Sequence, residues 1–370
     1  MRFDFFKPLP KKIIIYDLHH SEFLKKNFFM KSVDEIDILH TRNEKINLFV
    51  LINVLLKLKP LNYYSYFQEY VNCVKPKILI TMTDNDKNFY KIICKSGKKI
   101  FIQNGRRTRI ELFENIKKLN NENFNVDKMF VHNQLIGNLY KKIIKGETCS
   151  IGSVKSNFYK ISLLKKNKNN LVYISTFRMN YFSNDSKIFN NLKWKNYIKE
   201  EIKLLKIINK MLIKNNLKLT ILAKFGNDQF LKEKKFFLNY FNKTKILIVP
   251  NSKNRNNFQY IDEAALLIGN DSTLCYESFG RGNKVFFFGI RGKDKILKSR
   301  NFAYPLETLN ESTFWNNTLN FTKVEKSLKK LIDIPDHEWK KYFYQYKNKV
   351  MNYNFNNLKI KKYLNENKIS

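Results

Sequence analysis

Leu266-Leu267-Ile268-Gly269-Asn270-Asp271-Ser272-Thr273-Leu274-Cys275-Tyr276-Glu277-Ser278-Phe279-Gly280-Arg281-Gly282 is the stretch on which the reading of this chain turns. An apolar run stops at Gly269 and small polar residues follow. A short amphipathic segment then ends in Gly-Arg-Gly before a second apolar run, Lys284 to Phe288. The pattern predicts strand, tight turn, helix and strand, one βαβ unit. Asp271, Ser272 and Thr273 fall at the helix N-terminus, where backbone N–H groups and the helix dipole favour an anion such as phosphate. Glu277 stands four residues past Thr273, one turn up the same face, where a carboxylate suits ribose hydroxyls. Asp-Ser-Thr is equally an ordinary N-cap, so the turn alone leaves capping and binding side by side.

The sequence before this turn repeats the alternation. Strands are expected at Leu171 to Ser175, followed by Thr176 and Arg178, at Leu217 to Ala223, followed by Lys224, and at Lys245 to Val249. Helices Trp194 to Lys214 and Asp228 to Tyr240 lie between them. An earlier series has strands at Lys12 to Tyr16, Ile36 to His40, Lys77 to Met82, Lys99 to Gln103 and Lys128 to His132. Its helices are expected at Ser21 to Lys31, Ile46 to Lys59, Tyr64 to Val74, Asn88 to Ser96 and Leu135 to Ile144. Polar residues gather just after the strands, at the edge where parallel α/β sheets bind ligands. His19, Asp84, Asp86, Gln103, Asn104, Arg106 and His132 would share one rim, although each alone also reads as a turn or surface residue.

The alternation breaks near Ser150-Ile151-Gly152-Ser153, and Leu163 to Asn170 is polar and rich in Lys and Asn. The predicted division is therefore 1–158 for a first Rossmann-like domain and 159–370 for a second. Phe314-Trp315 reads as an anchor packed on a loop, and helices are expected at Val324 to Ile332 and from Pro335-Asp336 past Tyr346. The last stretch, from Met351, either returns to the first domain or frays. The fold class is α/β: two facing Rossmann-like domains with parallel sheets and an interdomain cleft.

At 370 residues, with 43% hydrophobic and 15% aromatic side chains, the chain can build two cores. A formal charge of +37 first suggests nucleic acid or an anionic membrane. Lys far outnumbers Arg, however, and there is no zinc-finger spacing, aromatic RNP-type strand or basic region before heptads, so nucleic acid is not the expected partner. Attraction to the anionic inner-membrane surface remains. Cys73, Cys94, Cys149 and Cys275 stand far apart, which suits neither a disulfide framework nor structural zinc and predicts a reducing compartment. The N-terminus does not read as a signal peptide. The longest apolar run, Leu48 to Leu56, is far short of a membrane span. The expected location is cytoplasmic, with the protein either soluble or peripheral at the cytoplasmic face of the inner membrane.

Several strings then carry a family resemblance: Ile80-Thr81-Met82-Thr83-Asp84-Asn85, Lys99-Ile100-Phe101-Ile102-Gln103-Asn104-Gly105-Arg106, Ile151-Gly152-Ser153-Val154-Lys155-Ser156-Asn157, Gly269 to Glu277, and Phe314-Trp315. In this order they resemble bacterial surface carbohydrate (lipopolysaccharide and capsule) biosynthesis proteins, from about Ile13 to about Asn357. The resemblance implies a GT-B-like glycosyltransferase that moves a sugar from a nucleotide-sugar co-substrate to a glycan or lipid-linked acceptor, with no permanently bound cofactor. Two alternatives stay open: a glycerol- or ribitol-phosphate transferase, and a non-catalytic GT-B-fold binding protein of a polysaccharide assembly complex. The polyol-phosphate enzymes usually carry Arg/Lys-Pro-His-Pro where this chain has Lys224-Phe225-Gly226.

On this reading Ser272 and Thr273 grip the donor diphosphate, with Asp271 at the same turn and Arg178 and Lys224 from neighbouring strand ends. Glu277 holds the ribose. The cations offset charge on the leaving nucleotide, so no metal is required. Asp84 and His19 are the candidate bases with Asp86 behind them. Gln103, Asn104, Gly105 and Arg106 position acceptor or phosphate. Asp84-Asn85-Asp86 as a divalent-cation site lacks a clear third ligand.

Overall fold

Short runs of β-branched and aromatic residues form most strands of the two large sheets. The structure is a computed structural model, and it describes residues 1–107, 123–162, 167–182, 187–189, 192–242, 244–252, 256–290, 301–318 and 320–367. The chain divides into one unit of Met1–Phe158 with Asn354–Ser370 and a second of Tyr159–Tyr353. Of the polar boundary stretch, residues 163–166 lie outside the described residues, and Asn167 to Asn170 open a strand.

In the first unit six strands run parallel: β1 (Ile13–Tyr16), β2 (Ile36–Leu39), β3 (Ile78–Thr81), β4 (Lys98–Ile102), β5 (Asn125–Val131) and β6 (Lys145–Ser150), in the order β2-β1-β3-β4-β5-β6. Alternate side chains go to opposite faces, as the twofold period of a strand requires. Ile14, Tyr16, Leu79 and Phe101 pack on one face with Phe67, Val71 and Tyr140. Ile13, Ile15, Ile78, Ile80, Ile100 and Ile102 pack on the other with Leu24, Ile360 and Leu364. β6 was not expected from sequence: Lys-Gly-Glu-Thr-Cys-Ser has no apolar run, because this edge strand is half exposed.

Three expected helices are shorter than their periodicity suggests. Asn88 to Ser96 is helical only over Lys87–Lys91, because the buried Lys99 ammonium donates to the Tyr90 carbonyl at 3.0 Å and to that of Ile92, taking the acceptors that a further turn needs. Ile46 to Lys59 is helical only over Leu48–Leu56, since Lys45–Asn47 pairs instead with Arg2–Asp4. Ser21 to Lys31 stops at Phe28, ahead of a 3-10 segment.

The C-terminal segment belongs to the first unit. Asn157 and Asn357, both fully buried, lock it there. Asn157 Nδ2 donates to Asn357 Oδ1 and to the Ile151 carbonyl, both at 2.9 Å, and Asn357 Nδ2 donates to the Val154 carbonyl at 2.9 Å. Helix Leu358–Glu366 then delivers Ile360 and Leu364 to the sheet. Replacing Asn357 by Ala should leave buried partners unpaired at about 1–3 kcal/mol, and limited proteolysis should clip this helix first. Unchanged clipping would remove that role.

In the second unit the main sheet has strands β7 (Asn167–Ile174), β8 (Lys218–Leu222), β9 (Ile246–Val249), β10 (Ala264–Gly269), β11 (Val285–Phe288), β12 (Glu311–Ser312) and β13 (Trp315–Asn316), in the order β9-β8-β7-β10-β11-β13-β12. Within that sheet, among the described residues, only the β12–β13 pair is antiparallel. Phe314-Trp315 therefore leads into a sheet strand rather than onto a loop; both residues are buried, and Trp315 Nε1 donates to the Leu309 carbonyl at 2.8 Å. Helix Asn257–Asp262, unread in the sequence, precedes β10. Its Asp262 accepts from Arg281 Nε at 2.9 Å, from the same guanidinium's Nη2, from Asn283 Nδ2 at 2.8 Å and from Ser162 N at 3.1 Å. Arg281 also donates to the Tyr159 and Lys160 carbonyls, so the helix end of the opening motif anchors the start of its own unit.

Candidate functional site

The turn after β10 sits where the second sheet reverses direction. From β7 the chain builds outward to β8 and β9, then crosses back to place β10 on the other side of β7. Ligand crevices of open α/β sheets lie at such switch points, at the carboxyl ends of the strands. Gly269 suits the close approach of helix and strand, since a Cβ there would meet Cys275 Sγ at 2.5 Å and force that side chain to move. Helix Thr273–Gly280 starts from Ser272, whose side chain makes no capping bond. The Ser272 hydroxyl is thus not consumed by the capping role its sequence equally allowed. Ser272 and Thr273 are half exposed and Glu277 is buried.

Asn270 was not singled out from sequence, yet it joins the two strands of the switch point. Its Nδ2 donates to Thr176 Oγ1 at 3.0 Å, just past β7, and to Tyr197 OH at 2.9 Å. Its Oδ1 is buried with no hydrogen-bond partner among the described residues, a state that native structures rarely leave unexplained. Glu233, fully buried, ties the neighbouring strand ends by accepting from Ser175 Oγ at 2.5 Å and from Lys224 N and Phe225 N, each at 2.9 Å. Arg178 lies over the Trp194 ring, 5.8 Å from its centroid, with Nε unpartnered among the described residues. Lys224 Nζ lies 4.9 Å from the Phe225 ring centroid. These cations therefore stand after β7 and β8.

The first sheet has its own switch point, between β1 and β3. Asp17 organises it, a residue the sequence reading passed over. It is buried, with φ of 81°, a conformation uncommon outside glycine. Its Oδ1 accepts from His19 N at 2.9 Å, and its Oδ2 accepts from Thr83 Oγ1 and Arg42 Nη2, both at 2.9 Å. Burial raises the Asp17 carboxyl, but those donors together outweigh it and hold the group below its usual range. One carboxylate thus links the chain beyond β1, β2 and β3. His19 is exposed beside it, its ring 4.3 Å from that of His20. Burial, then repulsion from Lys155 and His19, pushes His20 down to about 4.

The remaining candidates of the first unit are held by the following contacts. Asp84 is fully buried; Arg107 grips both oxygens, with Nε 2.9 Å from Oδ2, and Tyr140 OH donates to Oδ2 at 2.7 Å. Those donors engage both of its oxygens and anchor it in the interior. Asp86 caps helix Lys87–Lys91 through Asn88 N at 2.9 Å and accepts from Tyr16 OH at 2.6 Å. Both carboxylates of the supposed cation site are therefore occupied by protein donors. Among the described residues no group of three or more His, Cys, Asp or Glu is arranged to hold a metal. Gln103 is also internal, with Nε2 on the Gly105 carbonyl and Oε1 on His132 N, both at 2.9 Å. Asn104 and Arg106 are half buried, and Asn104 Oδ1 has no partner among the described residues.

His132, at the end of β5, is buried with Nε2 unpartnered among the described residues. Burial pushes it down to about 4, against the attraction of Asp84. The folded state holds it neutral while the unfolded state protonates near 6.5, so its contribution to stability is present above 6.5 and is lost as pH falls toward 4. The loss amounts to about 3 kcal/mol. His132→Gln should flatten the urea-midpoint profile between pH 7 and pH 4; an unchanged profile would place the titration elsewhere.

A family model described as "putative O-antigen biosynthesis protein" matches residues 100–368, well over half of the chain. The chain belongs to that family. No curated protein matches this chain. Among solved structures, a variant of the wall teichoic acid polymerase TagF is similar at 13% identity and a TM-score of 0.50, covering 96% of this chain and 88% of that one. A glycosyltransferase from Rickettsia africae aligns at 11% identity and a TM-score of 0.49, covering 96% and 99%. A Staphylococcus aureus TarM mutant in complex with UDP and α-GlcNAc-glycerol aligns at 13% identity and a TM-score of 0.45, covering 83% of this chain. This chain spans 59% of the TarM chain. Its fold is GT-B-like, with two α/β units built on parallel sheets.

Proposed function

We propose that this protein is a glycosyltransferase of surface polysaccharide synthesis, moving a sugar from a nucleotide-sugar to a glycan or lipid-linked acceptor at the cytoplasmic face of the inner membrane. The observation that carries the reading is the second switch point, where Asn270 and a helix N-terminus lie together beside Thr176. The donor diphosphate would sit on the first-turn N–H groups and on the Ser272 and Thr273 hydroxyls, next to Asp271, with Arg178 and Lys224 countering charge on the leaving nucleotide. Asn270 Oδ1 supplies a buried acceptor for a donor hydroxyl, and Glu277 a carboxylate for the ribose. These groups balance the charge without calling on a metal. In the first unit His19 is the base, and Asp17 is a positioning residue that fixes its backbone.

The test is thermal denaturation of purified protein with a panel of nucleotide-sugars and nucleotide-polyols, since a ligand that prefers the native state raises apparent stability. Stabilisation by a nucleotide-sugar, followed by acceptor-dependent release of the nucleotide, is the expected result. Stabilisation only by a cytidine-diphosphate polyol would replace sugar transfer with polyol-phosphate transfer, and no response to any nucleotide would favour the non-catalytic binder.

A further inference from the structure

Helix Leu48–Leu56, Leu-Phe-Val-Leu-Ile-Asn-Val-Leu-Leu, has no charged residue on any face. At 100° per residue, Val50 and Val54 share one side, while Leu48, Phe49, Ile52, Leu55 and Leu56 cover the opposite side. Only the first side is covered: Val50 and Val54 are buried, whereas Ile52 is 55% exposed, Leu55 52% and Leu56 75%. The following turn adds Leu58 at 94% and Leu61 at 63%. A helix that is apolar all round belongs inside a protein or against lipid, not with one side in water.

The N-terminal segment extends the same surface. Strand Arg2–Asp4 pairs with Lys45–Asn47, which runs directly into the helix, and Asn47 Nδ2 donates to the Phe6 carbonyl at 2.8 Å while its Oδ1 caps the helix at Val50 N. Phe5 and Phe6, 67% and 81% exposed, are thereby tied to the helix start. A pocket of about 220 Å³ lies along this region, its lining including Leu51 of the helix together with Leu61 and Tyr63. Arg2, Lys7, Lys45, Lys57 and Lys59 border the apolar residues. Asp4 and the buried Glu69 offset only part of that charge. Exposed leucine and phenylalanine ringed by lysine match the acyl boundary and headgroups of an anionic bilayer.

We propose that this face, helix Leu48–Leu56 with the Leu58–Leu61 turn and Phe5-Phe6, docks the protein on an anionic lipid surface. The inference deepens the membrane-face location proposed above and rests on it, but needs no donor or acceptor. No helix among the described residues is long and apolar enough to cross a membrane, so the helix would lie in the interface.

Sedimentation of the whole chain with phosphatidylcholine vesicles, with and without phosphatidylglycerol, tests it. Binding should require phosphatidylglycerol and weaken with salt, and Ile52→Ser/Leu55→Ser/Leu56→Ser should lower it by about tenfold or more. A separate Leu56→Trp variant should show blue-shifted emission on the anionic vesicles alone, which tests the contact even if the triple variant folds poorly. Equal binding to both vesicle types, no binding, or an emission from the Leu56→Trp variant that the anionic vesicles leave unshifted would overturn the proposal. A wild-type dimer that the triple variant converts to monomer would assign the face to a second copy instead. Nucleotide-sugar stabilisation measured on the same samples separates the outcomes, since its persistence without vesicle binding removes the docking face and leaves the transferase reading intact.

Discussion

Asp84→Ala is expected to lower stability by about 3–5 kcal/mol, read as a fall in the urea midpoint of the first unit. The carboxylate is fully buried and receives Arg107 and Tyr140, so its removal strands a guanidinium that is only 15% exposed. The cost comes from the uncompensated charge rather than from the net worth of the pair, which is small once desolvation is counted. Replacing both Asp84 and Arg107 by Leu should therefore recover part of the loss, and the double-mutant cycle measures the coupling directly. His19→Ala provides the contrast. His19 is exposed and its backbone, not its ring, is held by Asp17, so the midpoint should stay put while turnover falls by about 10²–10⁴-fold. A folded Asp84→Asn protein with a normal midpoint and lost turnover would return the base to Asp84.

The Asn270→Ala and Thr273→Val variants are each expected to reduce turnover by about 10²–10³-fold and to weaken nucleotide-sugar stabilisation. Thr273 opens the helix whose N–H groups would face the diphosphate, and Asn270 fixes the distance between the two strand ends through Thr176 and Tyr197. A binding role and a scaffolding role separate in the ligand titration. Loss of stabilisation by nucleotide-sugar with an unchanged melting temperature of the unliganded protein assigns binding, and a lowered melting temperature with full ligand response assigns scaffolding. Thr273→Ser should rescue Thr273→Val in part, because the hydroxyl returns without the methyl group. Normal turnover in both variants would move the donor away from this turn.

The element types were legible because their signals are local. Ile-Ile-Ile-Tyr at β1, Ile-Leu-Ile-Thr at β3 and Val-Phe-Phe-Phe at β11 are runs that only a strand buried on both faces can use, and Trp194–Lys214 carries its helical period from end to end. What escaped were elements whose reasons are distant. β6 is polar because it is an edge, and helix Lys87–Lys91 ends where it does because Lys99, from the next strand, takes its carbonyls.

The candidate site divides in the same way. Position at a strand's carboxyl end follows from counting residues along the chain, and it places His19, Ser272, Thr273 and Asn104 just past strand ends. The partner of each side chain depends on which strands become neighbours. Asp84 and Asp17 are both aspartates just past a strand, and nothing in their local sequence says that Arg107 neutralises the first while Arg42, Thr83 and the His19 N–H arrange the second. The sequence by itself determined that this chain is α/β, where the ends of its buried strands lie and that an anion-ready turn follows Gly269. The tertiary structure alone decided which carboxylates are spent on ion pairs, that Asn270 bridges the switch point, and that one apolar helix keeps its outer side in water. Those outcomes rest on contacts between segments far apart in the chain, whose energies no local pattern encodes.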